Sequence, residues 1–126
     1  MNNIFDDADI VYQYTRKQAL EDGVLADLTD IAKEAGFCFP VAVTQGVLNV
    51  LTDTSVPGQD FMGRAWDMLM ILKASIRGAE SNDVIHFSPL FVLEGRHQAQ
   101  PVNMWVKCGP GDEGEAVLTI MLEGED

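Results

Sequence analysis

Basic residues are scarce in this chain. Eight lysines and arginines face twenty aspartates and glutamates, a net charge of −12 with the histidines neutral. Nucleic acids and anionic membranes are held by Lys and Arg that neutralise phosphate, so a chain this acidic repels both, and direct DNA or RNA binding is disfavoured. Histidine and cysteine are almost as rare, at two each. Cys38 and Cys108 form no C-x-x-C pair and have no histidine at ligand spacing, which leaves a zinc site short of ligands. Long apolar runs are missing too. The longest, Met68 to Leu72 and Pro89 to Leu93, are far too short to span a bilayer. The opening MNNIFDDADIVYQYTR carries acids where a secretory signal has a positive segment, so the protein reads as cytoplasmic, where two thiols are most often buried or idle. Internal repeats and low-complexity tracts are also absent from the sequence.

What is present suits one folded unit. At 126 residues and 47% apolar composition the chain can build a single hydrophobic core, and one domain over 1–126 is the expectation. The charge is uneven along it. Residues 1–34 hold eight acids and three bases, residues 35–111 six acids and five bases, and residues 112–126 six acids and no base. Negative charge gathers at the two ends.

Local patterns give the expected elements. Ile10, Val11, Tyr12 and Tyr14 are β-branched or aromatic and favour a strand, after which Thr15 and Gln18 form a capping-box signal for a short helix over 15–22, stopped by Gly23. Val24 to Leu28 reads either as a strand leading into a Thr29-capped helix that ends at Gly36, or as one longer helix; the first is preferred. Phe37 to Val43 is apolar, broken by Pro40, and runs into Thr44, a natural N-cap for a helix with Val47, Leu48 and Leu51 on one side. Pro57-Gly58 marks a turn. The strongest signal is a long helix from Asp60 to Gly78, with Phe61, Ala65, Met68, Leu69, Leu72 and Ile76 at three- and four-residue spacing. Beyond Asn82-Asp83 the period falls to two: 84–87 and 90–93 are strand-like, Pro89 suggests an edge or bulge, Val102 to Cys108 alternates, and 117–122 closes the chain as a final strand. The expected fold is therefore α+β, with helices in the first two thirds and a three-stranded antiparallel sheet in the last third packed on the long central helix.

Candidate sites are few. The loop GPGDEGE (109–115) is glycine-rich, but it has no P-loop lysine, its three carboxylates repel phosphate, and EF-hand spacing is absent; a turn between strands is the better reading. No metal and no cofactor is expected. His86 and His97 have no well-spaced acid, and neither Ser81 nor Ser88 sits in a nucleophile elbow, so no catalytic residue is assigned. Tyr12, Tyr14 and Arg16 form a polar aromatic cluster where a ligand could stack and pair with a guanidinium. Asp112, Glu113, Glu115 and Trp66 are the candidates for binding a partner, the acids as a charged patch, with Glu113 and Glu115 about 7 Å apart on one strand face, and Trp66 as an anchor. Arg64 reads as pairing with an acid.

The strings YTRKQALEDGVLADL (14–28), AGFCFPVAVT (35–44), GRAWDML (63–69) and VKCGPGDEGEAVLTIMLEGED (106–126) resemble an uncharacterised family of small bacterial proteins, a domain of unknown function common on plasmids, phages and other mobile elements. Ala116 and Glu123 stand where that family usually has proline. The resemblance implies a genomic neighbourhood and no chemistry. Joined to the charge, it leads to the expectation of a non-enzymatic acidic accessory protein that binds a host or element protein with a basic, nucleic-acid-binding surface, in the manner of a DNA mimic. A small-ligand binder or enzyme at Tyr12, Tyr14 and Arg16, with His86 or His97 as acid/base, is the first alternative. A structural homo-oligomeric subunit is the second.

Overall fold

The computed structural model describes residues 14–53, 60–78, 84–92 and 98–125. In chain order the elements are α1 (Arg16–Glu21), β1 (Leu25–Asp27), α2 (Thr29–Glu34), β2 (Val41–Thr44), α3 (Gln45–Thr52), α4 (Phe61–Gly78), β3 (Val84–Phe87), β4 (Leu90–Val92), β5 (Ala99–Pro101), β6 (Met104–Pro110) and β7 (Ala116–Leu122).

The sheet overturns the expected three-stranded antiparallel arrangement. Five strands run in the order β1-β2-β7-β6-β3, and β4 and β5 form a separate pair. Two of the five, β1 and β2, come from the first third of the chain: β1 falls within the strand preferred at Val24 to Leu28, but neither it nor the apolar run that forms β2 was expected in the main sheet. The sheet is mixed: β2 and β7 are parallel, Val41 beside Leu118 and Val43 beside Ile120, while the other neighbours are antiparallel. The physical reason is burial. β2 reads Val-Ala-Val-Thr with its first three residues all inside, so it has none of the in–out alternation that reveals a half-exposed strand. The run at 90–93 also differs from expectation: Ser88-Pro89 breaks it from β3, Pro89 O accepts from Val102 N, and β4 turns aside to pair with β5.

Helices cover both faces of the sheet. On one face Val41, Val43, Phe87, Met104, Val106, Leu118 and Ile120 meet Leu28, Ala32 and Ala35 around α2, Val47 and Leu51 of α3, and Ala65, Met68, Leu69 and Leu72 of α4. Each large side chain removed from water there contributes roughly 1.5–3 kcal/mol. On the other face α1 lies beside Thr44, Val117, Thr119 and Met121, with Arg16 bonded to Thr119.

Side-chain caps satisfy orphan N–H groups at the starts of α1, α3 and α4. Thr15 and Gln18 close a capping box on α1. Thr44 Oγ1 accepts from Val47 N at 3.4 Å to start α3, and Asp60 Oδ1 accepts from Gly63 N at 2.7 Å to start α4. Thr29 does not cap α2, as its type suggested. It is the first helical residue, and its own N–H and hydroxyl are taken by Asp27 Oδ1.

Candidate functional site

The structure gathers chemistry-bearing residues around α1. Its N-terminus is held by the turn between β6 and β7: Asp112 Oδ1 accepts from Arg16 N at 2.8 Å and Oδ2 from Lys17 N at 2.9 Å. Those two N–H bonds, helped by the charges of Arg16 and Lys17, hold the Asp112 carboxyl below its ordinary value. The turn itself depends on Gly114, at φ 83°, a left-handed conformation that glycine adopts without a Cβ clash. Glu115 folds back over this turn, accepting from Glu113 N at 3.0 Å, so its carboxylate leans across Gly111.

Arg16 reaches from α1 to the sheet. Its guanidinium donates to Thr119 Oγ1 at 2.7 Å and to Leu118 O at 2.9 Å. Burial pushes it below the usual guanidinium value, and the nearby charges of Asp27, Asp112 and Glu115 work against that shift. Tyr14 precedes α1 and donates its hydroxyl to Asp22 at 2.6 Å, a bond to a carboxylate that raises the phenol.

Arg16 borders two clefts. The first, about 450 Å³, is lined by Lys17, Leu20, Thr29, Pro40 and Val117 together with four acids, Glu21, Asp27, Asp112 and Glu115. The second, about 540 Å³, brings Tyr14 and Arg16 together with Lys107, Thr44, Thr119 and Met121, and none of its described lining residues is acidic. A third hollow, between the α1–β1 turn and the start of α3, holds Asp22 and Glu125. Glu125 is fixed there by Thr44 Oγ1 at 2.7 Å and Leu122 N at 2.8 Å.

The partner-binding candidates do not form one patch. Asp112, Glu113 and Glu115 lie in the β6–β7 turn on the α1 side, Glu113 and Glu115 within the turn itself rather than along one strand face. Trp66 is on α4, across the sheet from α1, and is 38% exposed. The candidates for a ligand pocket are partly joined: Tyr14 and Arg16 share a cleft, and Tyr12 lies outside the described residues. His86 stacks on Trp105, with ring centroids 5.5 Å apart, and does not line that cleft; His97 lies outside the described residues. Cys38 and Cys108 are exposed free thiols. Among the described residues no group of three or more His, Cys, Asp or Glu is placed to hold a metal ion, and no helix is long and apolar enough to cross a membrane.

Sequence reasoning missed two features. Asp27 and Glu21 join Asp112 and Glu115 only because β1 and the β6–β7 turn meet beside α1, which no local pattern announces. Arg64 was expected to pair with an acid, and nothing in that expectation placed it in the core. It is 2% exposed, donating to Val50 O and Val92 O with its guanidinium carbon 5.5 Å from the centre of the Phe91 ring. Helical spacing does carry a signal here, since Arg64 precedes Met68 and Leu72 by four and eight residues.

No curated protein and no solved structure matches the chain. A family described as a family of unknown function, DUF6573, matches it over residues 1–126. The match spans every element described above, and the chain belongs to that family.

Proposed function

We propose that this protein is a non-enzymatic accessory protein of a mobile genetic element. On this reading it binds a host or element protein through the acid-rich side of α1, and the partner presents a basic surface of the kind that otherwise holds nucleic acid. The observation that carries the proposal is the convergence of Glu21, Asp27, Asp112 and Glu115 on one cleft against Arg16 and Lys17 among its described lining residues. Arg16 is turned inward by its bonds to Thr119 and Leu118, which leaves the carboxylates to set the potential outside.

The acids work as two groups rather than one continuous strip. Asp112 and Glu115 precede β7, and Glu123 and Glu125 follow it; its seven residues separate them by roughly 20 Å. That exceeds the Debye length of about 8 Å at physiological salt, so each group attracts cations on its own. A partner with two basic patches at that spacing would engage both.

The test is affinity purification from a bacterial lysate, comparing the tagged wild type with Glu21→Lys/Asp27→Lys/Glu115→Lys. Asp112 is left alone because it holds α1. A protein retained by the wild type at low salt, released at high salt and lost by the triple variant supports the proposal. Retention of the same protein by both forms would sink it.

One observation favours a second reading, a small-ligand binder. The cleft shared by Tyr14, Arg16 and Lys107 falls within the usual size range of small-molecule sites, roughly 300–1,000 Å³. Chemical-shift changes confined to Tyr14, Lys107 and Thr119 on adding a set of small carboxylates and phosphates would favour it over the protein partner.

A further inference from the structure

The cleft of about 540 Å³ beside α1 runs against the charge of the molecule. The chain carries −12, yet none of the described residues lining this cleft is acidic and two, Arg16 and Lys107, are cations. One residue, Thr119, links them. Thr119 Oγ1 accepts from the Arg16 guanidinium at 2.7 Å, and Lys107 is the cross-strand partner of Thr119 in the β6–β7 ladder. Directly opposed residues have Cβ atoms about 4.5–5.5 Å apart and share a face of the sheet, so Lys107 leaves the sheet beside the hydroxyl that Arg16 holds.

Neither cation has a counter-ion in contact. The guanidinium donates to a hydroxyl and to the carbonyl of Leu118, both neutral, and the acids that act on it from further off, Asp27, Asp112 and Glu115, line the other cleft. Those two bonds leave the remaining N–H groups of its five-donor fork unspent. The Lys107 ammonium has no hydrogen-bond or ion-pair partner among the described residues. Burial has already taken part of the water from Arg16, and a charge desolvated without a matching ion is costly, so an anion entering here recovers free energy.

We propose that this cleft binds a small monocarboxylate with an apolar body, its carboxylate held by Lys107, Thr119 and Arg16. The inference rests on the small-ligand reading of the cleft and assigns the ligand class. One negative charge suits the site better than two. Asp22 and Glu125 are bonded to the lining residues Tyr14 and Thr44, and they raise the cost of a dianion such as phosphate. The apolar body follows from the lining: Val117 and Met121 of β7, Ala19 of α1 and Leu25 of β1 border the cleft. The Tyr14 ring, 54% exposed with its hydroxyl tied to Asp22, adds an aromatic face.

Nuclear magnetic resonance titration of the full chain near neutral pH with hydrocinnamate, its neutral amide, acetate and inorganic phosphate tests this. Hydrocinnamate should shift the amides of Lys107, Thr119 and Met121 with a dissociation constant of about 1 mM or tighter. The amide, which lacks the charge, and acetate, which lacks the apolar body, should each bind at least about tenfold more weakly. Lys107→Gln, at an exposed position, should weaken hydrocinnamate about tenfold and leave the amide unchanged, and Lys107→Arg should restore the acid. An amide bound as tightly as the acid, phosphate bound more tightly, or an acid affinity indifferent to Lys107→Gln would overturn the carboxylate assignment and leave a ligand cleft in place. Shifts from none of the four probes would overturn both.

Discussion

Replacing Arg64 by methionine takes a cation out of the core, keeps most of the volume it fills, and strands two carbonyls. Val50 O belongs to the last turn of α3, whose carbonyls no intrahelical donor reaches, and Val92 O ends β4. They accept from the guanidinium at 2.5 and 2.6 Å. A buried acceptor deprived of its donor costs about 1–3 kcal/mol, so the pair sets an expected loss of roughly 2–6 kcal/mol. The contact with the Phe91 ring adds about 1 kcal/mol, and the easier desolvation of methionine returns part of the total. Domains of this size are stable by about 5–15 kcal/mol. Urea unfolding followed by far-ultraviolet circular dichroism should therefore show a much lower midpoint for Arg64→Met with an unchanged slope. Arg64→Lys, with one ammonium for two carbonyls on different elements, should fall between. If Arg64→Met unfolds within about 0.5 kcal/mol of wild type, the guanidinium is not what satisfies those carbonyls, and its role in joining α3, α4 and β4 is wrong.

Four further outcomes follow from the same geometry. Asp112 is depressed in the folded state, so its contribution to stability is present above its unfolded value and is lost as pH falls through the folded one; below about pH 4 the wild type should lose stability in a step that Asp112→Asn lacks, read by urea titrations at several pH values. Thr15→Ala removes the capping box of α1 and should cost about 0.5–2 kcal/mol, with faster amide exchange at Gln18 as the local readout. Leu72→Ala empties a fully buried site beneath α4 and should cost about 2–5 kcal/mol in the same unfolding assay. Gly114→Ala meets no neighbouring atom but must hold φ near 83°, and should cost about 1 kcal/mol or more through backbone strain alone.

The legible parts of the fold were those with a local cause. The capping box at Thr15, the cap at Asp60 and the three-to-four spacing of Ala65, Met68, Leu69 and Leu72 each lie within a few residues of chain, and each is where it was expected. What stayed hidden was decided over long separations. β2 pairs with β7 across most of the chain, and a strand buried on both faces shows no alternation to betray it. The site divides in the same way. Tyr14 and Arg16 are neighbours in sequence and share a cleft. The grouping of Asp27 with Asp112 and Glu115 depends on the β1–β2–β7 order, and the inward turn of Arg64 went unread because a charged residue is ordinarily assigned to the surface.

The central strand of the sheet is the last to be made. β7 lies between β2 and β6, so the early β1–β2 pair and the late β3–β6 pair share no edge until it arrives. Roughly seventy residues separate Thr44 from Ala116, and at about 5–20 residues per second their synthesis takes on the order of 4–14 s. Throughout that interval the apolar edge of β2 is open to any other strand, including β2 of a neighbouring nascent chain. Yield on expression should therefore respond more to translation rate and chaperone supply than the stability of the finished fold would suggest.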